Sequence, residues 1–353
     1  MAKHGQVLNA AKKASEVIMD HNLKARVKED GYTRIDPALI AAAENVTLMY
    51  RPLEKLLGGF LREDNAVGII VNVDRPKGLI HMTCAHELGH FFLNHESTAD
   101  ETIDYGVKAE IVEQEANYFA YALLAPKWLV ASVMNQRGWT LSHLTLPAIV
   151  YQLSLRLGIS FTAMIWSLSN LNLISIETRK VLLATQPKRI KEATLDGIKY
   201  SLGLNDVWLL DHNDKNQVLQ PVVGDKFIFE LPNHSSSGYL WTIDELRSEG
   251  FRLDPITEPA KSNKEKIGLS NLMIGGNPTL KYRLEHALMQ ADDNDDFEHP
   301  ESLNFRNEIS LNEERSWVSE SDINRLNFFT EFEQVKAGLS TQEKEKRFAS
   351  LKR

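Results

Sequence analysis

Residues 79–95 read LIHMTCAHELGHFFLNH, and residues 109–124 read AEIVEQEANYFAYALL. Both carry helical apolar spacing, and Ala125-Pro126 stops the second. Successive helical residues turn by about 100°, so His86 and His90 lie about 40° apart on one face. Two imidazoles placed that way reach one cation. Glu87 sits about 100° from His86, too far round to serve as a ligand in the same plane. It is placed instead as a general base for a water that the cation polarises. A catalytic zinc takes three protein ligands and keeps a fourth position open. Glu113 on the second helix is the preferred third ligand, because it shares a face with Asn117, Ala120 and Leu124, where a carboxylate needs a partner. Asn117 is then placed to hold one of the ligands from behind. Glu115, on the other edge near Phe119 and Ala122, is the competing ligand. His95 follows His90 by five residues, about 140° away on a continuous helix, and reads as a helix-end residue behind the ligands. Cys84 faces elsewhere and reads as a small buried hydrophobe. Gly89 leaves room for the close approach of a neighbouring strand. The five-residue motif alone also admits a core helix with two packed histidines; the second helix is what favours a metal site.

Outward from this pair, Val46–Leu53, Gly59–Arg62 and Val67–Val73 read as strands, the last rich in β-branched residues. Residues 6–22 and 37–43 read as helices, the latter with Pro37 in its first turn. Residues 141–180 read as further helices broken at Gly158, a helix–turn–helix pattern. Phe161–Leu171 contains no Lys or Arg, which favours packing over DNA reading. Residues 185–205 read as a polar connector. Beyond it the period changes to two: GDKFIFELP (224–232) puts Phe227, Phe229 and Leu231 on one face, TLKYRL (279–284) alternates, and 323–332 suggests another strand. ADDNDDFEHPES (291–302) lacks the Gly and Glu offsets of a calcium loop and reads as a solvated acidic loop.

Composition sets bounds on this reading. Among 353 residues, 43% are hydrophobic and 25% charged, as in an ordinary globular protein. The net charge of −8 argues against direct nucleic-acid binding, which needs clustered cations. The single cysteine excludes an internal disulfide. No signal-peptide core or run of eighteen apolar residues appears, and a cytoplasmic location with no membrane partner is expected.

HELGHFFLNH (86–95) followed by EQEANYFAYALLAP (113–126) resembles the ImmA/IrrE-type metallopeptidases, through Glu113, Ala116, Asn117, Phe119, Ala120, Leu123, Leu124 and Pro126. The resemblance spans about residues 5–180, including the helix–turn–helix-like stretch 155–174. It implies a zincin-like fold, one zinc ion on His86, His90 and Glu113, and Glu87 as catalytic base. It also implies cleavage of a partner regulator, often a DNA-binding repressor, in stress responses. Farther on, LPNHSSSGYLW (231–241), Gly275-Gly276 and Arg315-Ser316-Trp317 resemble the three binding loops of chagasin-like cysteine-protease inhibitors. His234 and Ser316 stand where that family has prolines. Tyr239, Trp241, Arg315 and Trp317 are the candidate loop contacts, and Trp241 reads equally as a core aromatic.

The expected fold is therefore α+β. A zincin-like unit spans 1–184 and a connector 185–205. An immunoglobulin-like β-sandwich spans 206–335, and a charged tail 336–353. The expected function is that of a zinc endopeptidase acting on a protein partner, with an extended peptide pairing along an edge strand near Ala66–Val73. The alternative is a binding or sensor module, a protease inhibitor among them, with a non-catalytic zinc.

Overall fold

The β-branched run near residue 70 becomes the middle strand of a sheet in a computed structural model that describes residues 2–63, 66–100, 111–195, 198, 203–256, 279–286, 306–315, 317 and 324–351. The described chain divides into two units, Met1–Ile190 with Glu333–Arg353, and Lys191–Phe332. The second is thus inserted in the sequence of the first.

In the first unit, β1 (Thr47–Arg51), β2 (Gly58–Glu63), β3 (Ala66–Asn72) and β4 (Thr98–Asp100) join β13 (Gly338–Leu339) in the order β13-β1-β3-β2-β4. β3 runs parallel to β1, with Met49 opposite Ile70, and antiparallel to β2, with Phe60 opposite Ile69. This corrects the expectation of a peptide-binding edge at Ala66–Val73. Both sides of β3 are hydrogen-bonded, and its Ile69 and Val71 are buried, as suits a central strand. Among the described residues, the sheet's edges are β4 and β13.

The helices of this unit are α1 (Ala2–Asp20), α2 (Leu23–Lys28), α3 (Pro37–Ala43), α4 (Lys77–Phe92), α5 (Ile111–Leu124), α6 (Lys127–Gln136), α7 (Pro147–Leu157), α8 (Phe161–Asn170) and α9 (Ile176–Leu183). Asp36 caps α3 by accepting from the Ala38 N–H at 2.9 Å. Leu48, Phe60, Ile69, Leu88, Phe119, Leu153 and Met164 share one core. Gly158 (φ 68) ends α7 and the Ser160 side chain caps α8, so the two helices bend by 98°. Their turn lies on α4: the His81 Nδ1 is 2.9 Å from the Gly158 carbonyl oxygen, and a Cβ at Gly78 would come 2.5 Å from the Ser160 nitrogen. The apolar face of α8 is spent on packing, with Phe161, Met164, Ile165 and Leu168 buried. Among the described residues, no single helix is long and apolar enough to cross a membrane.

The stretch read as a connector contains α10 (Pro187–Leu195). In the second unit, β5 (Val207–Leu210), β7 (Lys226–Pro232), β10 (Thr279–His286) and β9 (Phe251–Pro255) form one sheet, in that order. β6 (Val218–Leu219), β12 (Asn324–Glu331), β11 (Arg306–Glu314) and β8 (Leu240–Ile243) form the other. Phe229 of β7 meets Phe328 of β12 with ring centroids 5.6 Å apart, so the two sheets share a core. Phe227, Phe229 and Leu231 are buried, as alternation predicts, but so is Ile228 on the opposite face. It packs there with Leu195 and Val207. Gly275-Gly276, the acidic stretch 291–302 and Ser316 lie outside the described residues. The closing segment 336–353, read as a charged tail, supplies β13 and α11 (Thr341–Leu351), and Leu339 pairs opposite Met49 of β1.

Candidate metal centre

Gly89 and Ala116 set the geometry of the site. A Cβ at Gly89 would lie 3.0 Å from the Ala116 Cα and 3.2 Å from Phe119 Cδ1, so α4 and α5 cross at backbone contact. The glycine thus admits a helix, not the strand expected from sequence. The close crossing brings the rows 86/90 and 113/117 together. The His86 Nε2 is 3.1 Å from Glu113 Oε2 and 3.1 Å from the His90 Nε2. The His90 Nε2 is 3.5 Å from Glu113 Oε1. One donor atom from each of the three side chains lies within 4.8 Å of the other two. Nitrogen donors at about 2.0–2.1 Å on a tetrahedral zinc stand about 3.3 Å apart, so this set fits the ion. Both histidines are buried, while Glu113 is partly open to solvent.

The other face of each imidazole is also engaged. His86 Nδ1 is 3.1 Å from Asn117 Oδ1, the supporting contact expected of Asn117. His90 Nδ1 is 3.0 Å from His95 Nδ1, and His95 Nε2 is 3.3 Å from Glu115 Oε2. Glu115 therefore serves His95, and the donor cluster takes Glu113. Burial holds the His95 imidazole below its ordinary value, with Glu115 pulling the other way.

Glu87 is fully buried. The start of β2 lies against it: a Cβ at Gly58 would come 2.9 Å from Glu87 Oε1, 2.5 Å from Thr83 Cγ2 and 3.0 Å from the Ile70 carbonyl oxygen. On the same face of β2, Phe60 stacks near His90 at 6.3 Å between centroids. Arg62 donates to the Phe91 carbonyl oxygen at 2.8 Å and to Asn94 Oδ1 at 3.3 Å. Every second residue of β2 thus touches the next stretch of α4. Sequence reasoning missed this set, although the alternation Gly-x-Phe-x-Arg was there to see. Cys84 is buried as expected, and burial pushes its thiol well up.

In the second unit the sequence-predicted loop residues separate. Trp241 is buried, and its indole N–H donates to the Pro232 carbonyl oxygen at 3.0 Å. It is a core aromatic, which corrects its place among the loop contacts. Trp317 is 70% exposed. A Cβ at Gly238 would touch its ring at 2.6 Å. Arg315 stacks on Tyr239 at 4.3 Å and donates to the Ser237 carbonyl oxygen at 3.0 Å. Tyr239, Arg315 and Trp317 therefore gather around the 235–239 turn. His234 Nδ1 is 2.7 Å from the buried Glu313 Oε1.

Residues 41–168 match the family model of the IrrE N-terminal-like domain of peptidase M78. This stretch is therefore similar to metallopeptidases of the IrrE/ImmA type, and the match takes in both helices of the centre. No curated protein matches the chain. Among solved structures, the cysteine protease inhibitor EhICP2 from Entamoeba histolytica is similar at 13% identity and a TM-score of 0.24, covering 36% of this chain and 96% of that one. The solution structure of Amebosin is similar at 16% identity and a TM-score of 0.23, covering 36% and 98%.

Proposed function

We propose, from the IrrE N-terminal-like domain at residues 41–168, that this protein is a zinc-dependent endopeptidase that cuts a specific protein partner, a regulator or repressor. The observation that carries the reading is the convergence of His86, His90 and Glu113 beside the buried carboxylate of Glu87. Bound there, zinc would supply Lewis acidity toward water and a peptide carbonyl. Glu87 would take the proton of the attacking water and return it to the leaving amine. Asn117 would keep His86 oriented, and the buried walls of α4 and β2 would exclude bulk water from the carboxylate. A zincin-like arrangement for the first unit agrees with the sheet order and the helix pair, and the α7–α8 turn serves as packing.

An immunoglobulin-like sandwich for the second unit agrees with two four-stranded sheets around a common aromatic core. Its role in this reading is to bind the partner or an activating signal through Tyr239, Arg315 and Trp317. The test is cleavage of a candidate regulator encoded nearby, with metal analysis. Glu87→Gln should keep its zinc and lose cleavage by about 10²–10⁴-fold. Trp317→Ala should raise KM with little change in kcat. Cleavage by Glu87→Gln at the wild-type rate would sink the mechanism.

A further inference from the structure

The two histidines of the centre are held from behind in different ways. His86 Nδ1 meets an amide oxygen, Asn117 Oδ1, which only accepts. His90 Nδ1 meets another imidazole nitrogen, His95 Nδ1, and one of the two must carry the hydrogen. The far end of the chain of contacts decides which. Glu115 is a carboxylate and accepts, so His95 Nε2 carries a hydrogen toward it. A neutral His95 then has a lone pair at Nδ1, and His90 must donate from its own Nδ1. That leaves the His90 lone pair on Nε2, the atom that faces Glu113 and His86.

The backbone builds this contact deliberately. α4 ends at Phe92, and Asn94 takes a left-handed conformation (φ 57). The His95 N–H bonds back to the His90 carbonyl oxygen at 2.9 Å, and the Asn94 N–H to that of Phe91 at 3.2 Å. These two bonds form a Schellman motif, which turns the chain back so that residue 95 lies over residue 90. Arg62 of β2 holds the same turn through Phe91 and Asn94.

We propose that His95 and Glu115 form a relay that fixes the tautomer and ring plane of His90, making both positioning residues for the cation site. The inference rests on the metallopeptidase reading of that site. Zinc affinity of the purified full chain, measured by competition with a chromophoric chelator, tests it without recourse to activity. His86→Ala is the reference and should abolish binding. His95→Phe keeps a ring but removes the acceptor, and should weaken binding by about 10–100-fold. Glu115→Leu approaches the relay from its far end, and should weaken zinc less than His95→Phe does. Glu115→Gln keeps an acceptor oxygen and should bind nearly as wild type. Nitrogen-15 spectra of the metal-free protein should show His90 protonated at Nδ1 in wild type, and a mixture of tautomers in Glu115→Leu. Wild-type affinity in both His95→Phe and Glu115→Leu, with His86→Ala unable to bind, would overturn the relay and leave the cation site standing. Wild-type affinity in His86→Ala would remove the site and the relay together.

Discussion

Single residues carry most of the proposed chemistry, and the ones the sequence places share one property: their proposed role follows from angles along one helix. His86, Glu87 and His90 needed only the helical turn, and Glu113 with Asn117 needed only a second helix. Asp225 was not legible, because its character comes from residues that folding brings to it. It accepts from the Asp206 N–H at 2.7 Å, the Trp208 indole at 2.9 Å and the Val222 N–H at 3.0 Å. Burial, joined by the charge of Asp206, raises its carboxyl from 3.8 to about 6 despite those bonds. The folded chain therefore binds a proton that the unfolded chain has released between about pH 4 and 6. Stability of the second unit should fall as pH rises through that window, by about 3 kcal/mol in all. Asp225→Asn should remove most of this slope. It should also cost about 1–3 kcal/mol at pH 5, because its amide N–H₂ faces a donor. Urea titrations between pH 4 and 7, followed by tryptophan fluorescence, check both effects; an unchanged slope in the variant would refute the assignment.

At the scale of elements, the sequence showed α1, α3, α4, α5, α7 and α8 and the three first strands, but not α2, α6 or α10, and not how the elements touch. The 140° offset of His95 assumed a continuous helix, and the Schellman turn at Asn94 breaks that assumption. Gly89 was read as room for a strand, whereas the partner is α5. Contacts between elements depend on which small residue sits at the crossing, and one sequence does not say which neighbour it meets. The two glycines of the centre make this testable. Gly89→Ala would push α4 from α5 and separate His86 and His90 from Glu113, so zinc affinity should fall by more than tenfold. Gly58→Ala would press on Thr83, the Ile70 carbonyl and Glu87, none of them a ligand. Overpacking of this kind costs about 1–3 kcal/mol. A displacement of about 1 Å at the base can cost about 10²-fold in rate. Gly58→Ala should therefore lose kcat while keeping zinc, the reverse of what a disrupted ligand set gives. Parallel measurements of kcat and zinc affinity separate the two, and wild-type kcat in Gly58→Ala would show that β2 does not position Glu87.

Across the whole molecule, the sequence reads as two consecutive blocks and a tail, because the apolar period changes beyond the polar stretch 185–205 and the last fourteen residues are strongly charged. Neither signal shows that the chain returns. The return begins at Glu333, whose carboxylate bonds Arg34 and Lys77 and lies 3.3 Å from His81 Nε2 on α4. Burial alone would raise the Glu333 carboxyl, but Arg34, Lys77 and His81 outweigh it and hold it well below 4.5. A depressed carboxyl contributes its full stability above the unfolded value and loses it as pH falls through the folded value. The first unit should therefore weaken in acid, below about pH 4. Glu333→Gln leaves the Arg34 and Lys77 side chains, 4% and 11% exposed, without their carboxylate. Removing one partner of a buried ion pair costs about 3–5 kcal/mol, a large share of a domain's 5–15 kcal/mol. Urea unfolding of the full chain should show that loss at pH 7 in the first unit's transition, with the second unit's unchanged. The gap between wild type and Glu333→Gln should narrow as pH falls below 4, since protonated Glu333 and glutamine are alike in charge. A gap that stays constant with pH would refute the ionic role. A chain ending at Phe332 lacks Glu333, β13 and α11 together, and should not yield a stable first unit. Completion of the first unit then waits on residues that follow the second unit in the sequence.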